Sequence, residues 1–445
     1  MEAKRAEKER VHVNLFQQVL SPDNMQRAWK QVKANQGAAG VDGITIGQFP
    51  DHIRPHWETI KGKLREGTYN PSPVRRVLIP KEKGQFRTLG IPTVLDRVIQ
   101  QAIAQVLGEL YDPHFSEHSY GFRPQRSAHQ AIKTMREISL KKGQRARPCH
   151  VVDCDLKTFF DTVNHQKMMA KLRESIADPS LLDLIVKFLK AGAILPNGTY
   201  EKSPSGVPQG GPLSPLLANI LLDDLDKELE KRNHSFVRYA DDFVILCSSP
   251  RAAQRVLDSI TRYLSQKLRL IVNETKSKVV PLAEASFLGF RIHRKTIRWT
   301  NKSEKKLKAQ IRTLTRRTRG VSPQKVISDL KSYLRGAINY YGIGIPYGEI
   351  VSLDKWLRRR LRLYYWKQWD RPRTRRRKLI SLGIDREEVY RASRSRKGHW
   401  RMSNYKLVTQ GLTSHWLYEQ GLPNLTEQWK NIRYPEGGIN SGRQA

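Results

Sequence analysis

The chain has 445 residues, with 80 Lys/Arg against 42 Asp/Glu and a net charge of +38, long enough for several domains and a substantial core. A surplus that large marks a polyanionic partner rather than simple solubility; nucleic acid is the natural one, and no long apolar segment supports the competing reading of a membrane surface. Cys149, Cys154 and Cys247 form no C-x-x-C pair and Met1–Arg5 opens a charged stretch without an apolar core, which argues against a disulfide framework, a structural zinc site and a secretory signal, and fits a reducing cytoplasm.

In chain order, the first seventy residues read as helices and turns, broken by Gly37, Gly40 and Gly43 around Asp42. Pro73–Pro80 predicts a strand, and a turn at Gly84 leads to a second one at Arg87–Ile91. Lys81 and Arg87 flank that turn, where a lysine offers a triphosphate a point charge and an arginine a fork; a solvated basic hairpin is the plainer reading. Val94, Val98, Ile99, Ala102, Ile103, Val106 and Leu107 form one stripe of a helix.

The middle third alternates strands and helices and carries two acidic strands. In Val151-Val152-Asp153-Cys154-Asp155-Leu156 the period of two puts Asp153 and Asp155 on one face. Phe236-Val237-Arg238 and Phe243–Cys247 bracket Tyr239-Ala240-Asp241-Asp242, predicting a hairpin with adjacent carboxylates at its tip. Carboxylates on an apolar hairpin are costly unless a cation sits against them, and magnesium prefers oxygen ligands. Alone the tetrapeptide reads as a solvated turn. With a third acid from the other strand it reads as a two-metal site, because ions about 4 Å apart need a bridging anion. Asp155, Asp241 and Asp242 are the expected ligands, while Asp153 and Asp161 are taken as ordinary exposed acids.

Between the acidic strands, Gly206–Pro215 is a Gly/Pro-dense loop before a helix with Leu216, Leu217, Ile220 and Leu221. Its glycines allow close backbone approach, and Gln209 can both donate and accept. Lys276 in Asn273-Glu274-Thr275-Lys276 is a candidate general acid or neutraliser of pyrophosphate, though it is one lysine among many. A short strand pair is expected around Ser286–Phe290.

After residue 300 the pattern is helical. Ser303, Ser322-Pro323 and Ser352 are the expected starts of three amphipathic helices in a bundle. Arg371–Lys378 reads as a linker too charged to bury, with Trp356, Trp366 and Trp369 as core, and Tyr364, Tyr365 and Trp369 as residues able to stack on bases. Residues 291–400 hold 32 Lys/Arg and 8 Asp/Glu, so +24 of the charge lies in a quarter of the chain.

Together these features resemble a bacterial group II intron reverse transcriptase, or maturase. Asn35-Gln36-Gly37 with Gly40-Val41-Asp42-Gly43 is similar to that family's N-terminal extension, and Arg87–Pro92, Asp96-Arg97 and Gln100-Gln101-Ala102 to its fingers. His118–Pro124 is similar to a family insertion, and Phe287-Leu288-Gly289-Phe290 to the primer grip. The resemblance implies an α/β (α+β) right-hand polymerase: fingers and palm with an antiparallel palm sheet, then a helical thumb and a small basic helical C-terminal domain. Its divisions would be 1–72 (N-terminal extension and start of fingers), 73–295 (fingers and palm), 296–365 (thumb) and 366–445 (DNA binding). It implies two magnesium ions, replaceable by manganese, on Asp155, Asp241 and Asp242, with deoxynucleotides held by Lys81, Arg87, Gln209 and Lys276. Phe160, five residues after Asp155, falls at the family's steric gate, where its ring would exclude a 2′-hydroxyl. RNA template, intron RNA and DNA primer or target are the implied partners, in a bacterial cytoplasm. With no cysteine after Cys247, the implied subgroup is endonuclease-lacking and group IIC-like. A polymerase domesticated for host repair or phage defence, and a splicing-only RNA-binding maturase, are the alternatives; oligomeric state is open.

Overall fold

The computed structural model describes residues 14–80, 84, 86–140, 149–293 and 295–434. It divides into two compact units, Met1–Ala285 and Ser286–Ala445. Lys81 and most of the expected turn at Gly84 lie outside the described residues.

The first unit holds two four-stranded sheets. In one, β1 (Val74–Pro80) pairs antiparallel with β2 (Phe86–Ile91) and parallel with β4 (Ala193–Ile194), which pairs in turn with β5 (Tyr200–Glu201). The other is fully antiparallel, in the order β6 (Ser235–Tyr239), β7 (Asp242–Cys247), β3 (His150–Cys154), β8 (Lys278–Pro281). All of β7 after Asp242 is buried. An unbroken apolar run is what a strand covered on both faces needs. Helices Pro250–Tyr263 and Ala128–Leu140 pack against this sheet.

The stripe beginning at Val94 is a helix, Val94–Tyr111, started by Thr93, whose side chain accepts from the Asp96 amide. The core joins this helix to Pro179–Lys190, Ser214–Lys231 and the early Leu15–Val19. The Asp178 carboxylate ties two of them together: it accepts from Leu181 N–H at the start of its own helix and from Phe16 N–H at 2.8 Å.

In the second unit the strand pair lies just after the expected place. Phe287 and Phe290 exchange backbone hydrogen bonds around Leu288 and Gly289 (φ 52° and 78°), and the chain continues into the hairpin β9 (Phe290–His293) and β10 (Thr296–Trp299). The next helix, Asn301–Leu314, is capped by Thr300 and not by Ser303, whose hydroxyl turns back to donate to the Gly289 carbonyl at 3.0 Å. Ser322 caps Pro323–Tyr341 as its sequence predicts. The third helix, Tyr347–Gln368, begins a turn before Ser352, whose hydroxyl donates inside it to the Gly348 carbonyl.

The basic run is helical as well. Pro372–Ser381 starts on a proline, and Arg375 is buried with its guanidinium 4.6 Å from the Trp366 ring centroid. Cation–π contact and the arginine stem let such a residue enter a core. Tyr364, Tyr365 and Trp369 are buried and hence not stacking platforms, whereas Tyr390, Trp400 and Tyr405 are exposed, each with a cationic side chain against its ring.

Asp354, 3% exposed on the third helix, holds this unit's last elements. It pairs with Arg358 at 2.9 Å, accepts from Tyr418 Oη at 3.0 Å and faces the Leu425 N–H at the start of Leu425–Arg433. Asp354→Ala removes the counter-charge of Arg358 and the acceptor of Tyr418 Oη, leaving Arg358 only the Tyr418 oxygen at 2.6 Å, so it should lower stability by about 3 kcal/mol, the usual order for half of a buried pair. Denaturant unfolding followed by tryptophan fluorescence measures it, and a loss below about 1 kcal/mol would show the cluster to be ornamental.

Candidate active site

The register of β3 against β7 assembles the acidic end of the sheet. Asp153 pairs with Val244 and Cys154 with Phe243, so one further step sets Asp155 beside Asp242. On the other side of β7, Tyr239 pairs with Asp242, leaving Ala240 and Asp241 as a two-residue loop. Ala240 takes φ 58°, a left-handed conformation costing a non-glycine residue roughly 1–2 kcal/mol. The loop is braced from outside. Tyr120 N–H donates to the Arg238 carbonyl and Arg238 N–H to the His118 carbonyl, both at 2.9 Å. That pairing lays Gly121 on the loop so closely that a Cβ there would stand 2.3 Å from the Ala240 nitrogen. His118–Pro124 is therefore a clamp on the acidic hairpin.

Asp155 is held by the segment after residue 272. Its N–H donates to Ser277 Oγ, its carbonyl accepts from Asn273 N–H, and its carboxylate accepts from Asn273 Nδ2 at 2.9 Å and pairs with Lys276 Nζ at 3.2 Å. Lys276, otherwise well exposed, is thus a counter-charge to one of the three acids.

Negative charge is crowded here. Asp242 is exposed at the start of β7, yet partial desolvation of its carboxyl pushes it up to about 6, helped by Asp241, Asp153 and Asp155 and opposed by Lys276. Burial also raises Asp241, with Asp155 adding to the shift and Arg87 and Arg238 opposing it. Asp153 is not the exposed acid its sequence suggests. It is half-buried in mid-sheet, and its carboxyl is raised by burial, eased by Lys278 and raised further by Asp155. Among the described residues, no three His, Cys, Asp or Glu side chains are already gathered as a metal-holding group. The donor chemistry nevertheless suits a hard cation: every acid supplies oxygen, and after desolvation Asp241, Asp153 and Asp155 each add to the upward shift of Asp242.

The other predicted residues of this unit gather nearby in two groups. Arg87 Nε donates to Gln209 Oε1 at 2.8 Å, and Gly90 N–H donates to the Gln209 carbonyl at 2.7 Å, stitching the Gly/Pro-dense loop to β2. Arg87 is close enough to Asp241 to lower its carboxyl. Phe160 lies in the short helix Phe159–Thr162 and is nearly buried, edge-on to Phe159. It lines a cavity of about 300 Å³ with Thr88, Gly90 and Gln209, which none of the three acids lines. Phe287–Phe290 belong to the second unit, where Phe287 and Phe290 are buried and the Leu288 carbonyl accepts from Tyr340 Oη at 3.0 Å.

One pH dependence follows. Asp242 titrates near 6 in the folded chain, above its ordinary 3.8, so between these values the folded state binds more protons and stability from this group falls as pH rises. Asp242→Asn should therefore raise the denaturation midpoint of the chelator-treated protein at about pH 8 and leave it unchanged near pH 3.5. Equal midpoints at the higher pH would mean that the carboxyl is under no pressure.

The chain matches the family described as reverse transcriptase (RNA-dependent DNA polymerase) over residues 79–292, and the group II intron, maturase-specific domain over residues 304–381. Protein YkfC of Escherichia coli (strain K12) is 32% identical over 322 residues, which cover 64% of this chain and 84% of YkfC. The group II intron-encoded protein LtrA of Lactococcus lactis subsp. cremoris is 38% identical over 272 residues, 61% of this chain and 43% of LtrA. The putative COX1/OXI3 intron 1 protein of Saccharomyces cerevisiae is 25% identical over 451 residues, 80% of this chain and 52% of that protein. The match thus spans about half the length of these two intron proteins. Among the described residues no helix is long and apolar enough to cross a membrane. With both family matches in sequence order and the YkfC alignment covering most of that relative, this chain belongs to the group II intron reverse transcriptase/maturase family of RNA-directed DNA polymerases.

Proposed function

We propose that the chain copies RNA into DNA at the acidic end of the antiparallel sheet and that it binds its intron RNA, assisting splicing and mobility. The observation that carries this is the crowding of Asp155, Asp241 and Asp242 on paired strands, with the exposed Asp242 carboxyl driven up to about 6 by partial desolvation and its acidic neighbours. These three side chains would hold two Mg²⁺, with Mn²⁺ as a substitute. When bound, such ions lower the pKa of the primer 3′-hydroxyl and neutralise charge on the transferring and leaving phosphates.

The remaining work falls to the chain. Arg87, fixed through Nε by Gln209, offers its terminal nitrogens to the triphosphate. Lys81 adds a point charge. Gln209, whose backbone is tied to Gly90, supports the nascent pair. Phe160, immobilised against Phe159, blocks a 2′-hydroxyl. Lys276 exchanges its pairing with Asp155 for the departing pyrophosphate. The strands so arranged chiefly position reactants and neutralise charge. In the same reading, residues 1–72 are the N-terminal extension, 73–295 fingers and palm, 296–365 the thumb and 366–445 the DNA-binding end. Phe287–Phe290 grip the primer, and the +24 of residues 291–400 holds RNA and DNA through phosphates.

Asp241→Ala should abolish primer extension on an RNA template while template–primer binding persists; near-normal extension would sink the site assignment. Phe160→Ala should let ribonucleotides compete with deoxynucleotides, and unchanged sugar discrimination would remove the gate. Tighter binding of the intron RNA than of unrelated RNA of equal length at the same salt would support the splicing role, and equal affinities would remove it.

A further inference from the structure

A fully buried ionic network lies directly beneath the acidic hairpin. Arg238, in β6, and Asp226, in helix Ser214–Lys231, are both 0% exposed. Arg238 Nε donates to Asp226 Oδ1 at 2.7 Å and Nη2 to Oδ2 at 2.5 Å, a two-point fork. Its remaining terminal nitrogen, Nη1, donates to Asn219 Oδ1 at 2.9 Å and to the Ala240 carbonyl at 3.0 Å. Asn219 in turn donates through Nδ2 to the Gly121 carbonyl at 2.8 Å.

A buried pair of this kind is an expensive way to gain stability, since a well-packed apolar pair of similar volume often does as well. What an apolar pair lacks is a donor. Here the guanidinium's last nitrogen is spent on the one residue of the hairpin with left-handed backbone, the residue that precedes Asp241. Asn219 links the same cation to the glycine lying on the other side of that loop. Two strand-external elements, one inside the fold and one laid over the loop, are thus locked to a single carbonyl. The Asp226 fork leaves the guanidinium no freedom to rotate away, because bidentate geometry fixes its plane.

We propose that Asp226, Arg238 and Asn219 are positioning residues for polymerisation: through the Ala240 carbonyl they fix the backbone from which Asp241 and Asp242 project, and so set the metal dependence and turnover of the site. This rests on the assignment of those two acids as metal ligands. Arg238→Lys keeps the cation and one contact to Asp226 but loses the planar fork that reaches both Asp226 and Ala240. It lowers kcat for primer extension by about 10- to 100-fold, the range seen when supports behind metal ligands are removed. It raises the Mg²⁺ concentration for half-maximal rate and leaves template–primer affinity unchanged. Asn219→Ala, which keeps the ion pair itself, gives a smaller shift in the same direction.

The comparison is Leu229→Ala, a fully buried side chain on the same helix, which lowers the melting temperature while keeping every hydrogen-bonding group of the network. If Arg238→Lys and Asn219→Ala change rate and Mg²⁺ dependence no more than Leu229→Ala does, once rates are scaled to the folded fraction measured by circular dichroism, the network is structural only and the proposal falls. Failure of Arg238→Lys to fold leaves the decision with Asn219→Ala, measured in the same way. Asp241→Ala separates the two levels. Persisting extension in that variant overturns the metal assignment, whereas lost extension beside an unshifted Asn219→Ala overturns only the positioning role.

Discussion

The constraint on which the rest depends is the crowding of carboxylates that the β3–β7 register enforces. Antiparallel pairing sets Asp155 beside Asp242, and a two-residue loop sets Asp241 next to both. The strands cannot relax this repulsion by slipping, because a one-residue shift would exchange the two buried faces of Phe243–Cys247 and unfit the packing on both. The apolar core therefore holds the acids together against their charge. What it cannot supply is the counter-charge, and the chain supplies that only in part, through Lys276 on Asp155, Lys278 on Asp153 and Arg87 near Asp241. A site left short of positive charge by its own scaffold is one that draws cations, and with them the phosphates cations bring.

The second unit faces the opposite difficulty, a cationic surplus that has to be folded without being neutralised. Its arginines lie against aromatic faces: Arg375 on Trp366, Arg359 on Trp400, Arg312 and Arg360 on Trp356. Stems and ring faces contribute buried area, and heads are satisfied by backbone carbonyls rather than by acids, Arg359 by Trp400, Arg360 by Arg312 and Thr315, and Arg375 by Ser393. Acids are used sparingly and at junctions, as Asp354 shows by joining the third helix to Tyr418 and Leu425. Such a surface keeps its field and still has a core.

Local signals in the sequence carried most of the fold. The period of two marked β3, an unbroken apolar run marked β7, the helical stripe marked Val94–Tyr111, and Ser322-Pro323 marked a helix start. Tyr239–Asp242 alone reads as a solvated turn, and only the second acidic strand bearing Asp155 marks the three acids as a group. What failed to show was anything decided by a distant partner. Ser303 has the composition of a cap, but Thr300 stands at the end of a strand and takes the position first, leaving Ser303 to reach Gly289. Arg371–Lys378 has the charge of a linker, but Trp366 and Ser393 offer Arg375 a place inside. Asp153 reads as exposed until two neighbouring strands cover it. Arg238 was least visible of all: an arginine before a hairpin tip looks solvated, and its carboxylate lies on a helix twelve residues earlier with no pattern to mark it.

The same dependence on backbone placement extends to the Phe160 ring. The Phe160 carbonyl accepts from Val207 N–H at 2.6 Å and the Val163 carbonyl from Gly206 N–H at 2.8 Å, so the short helix bearing the ring is tied at both ends to the Gly/Pro-dense loop. Gly206 sits at φ 92°, and a Cβ there would stand 2.9 Å from the Asp161 carbonyl and 3.0 Å from that of Phe160. No other residue fits both the dihedral and the space. His165 closes the arrangement by pairing Nε2 with the Gly206 carbonyl at 2.7 Å. Three residues further along, the same loop presents Gln209 to Arg87. The proposed sugar gate and triphosphate grip would thereby be mechanically joined: a change that moves the loop moves the Phe160 ring and the partner of the Arg87 guanidinium together. On the proposed assignment, selectivity would reside in one loop's backbone as much as in the Phe160 ring that the loop holds.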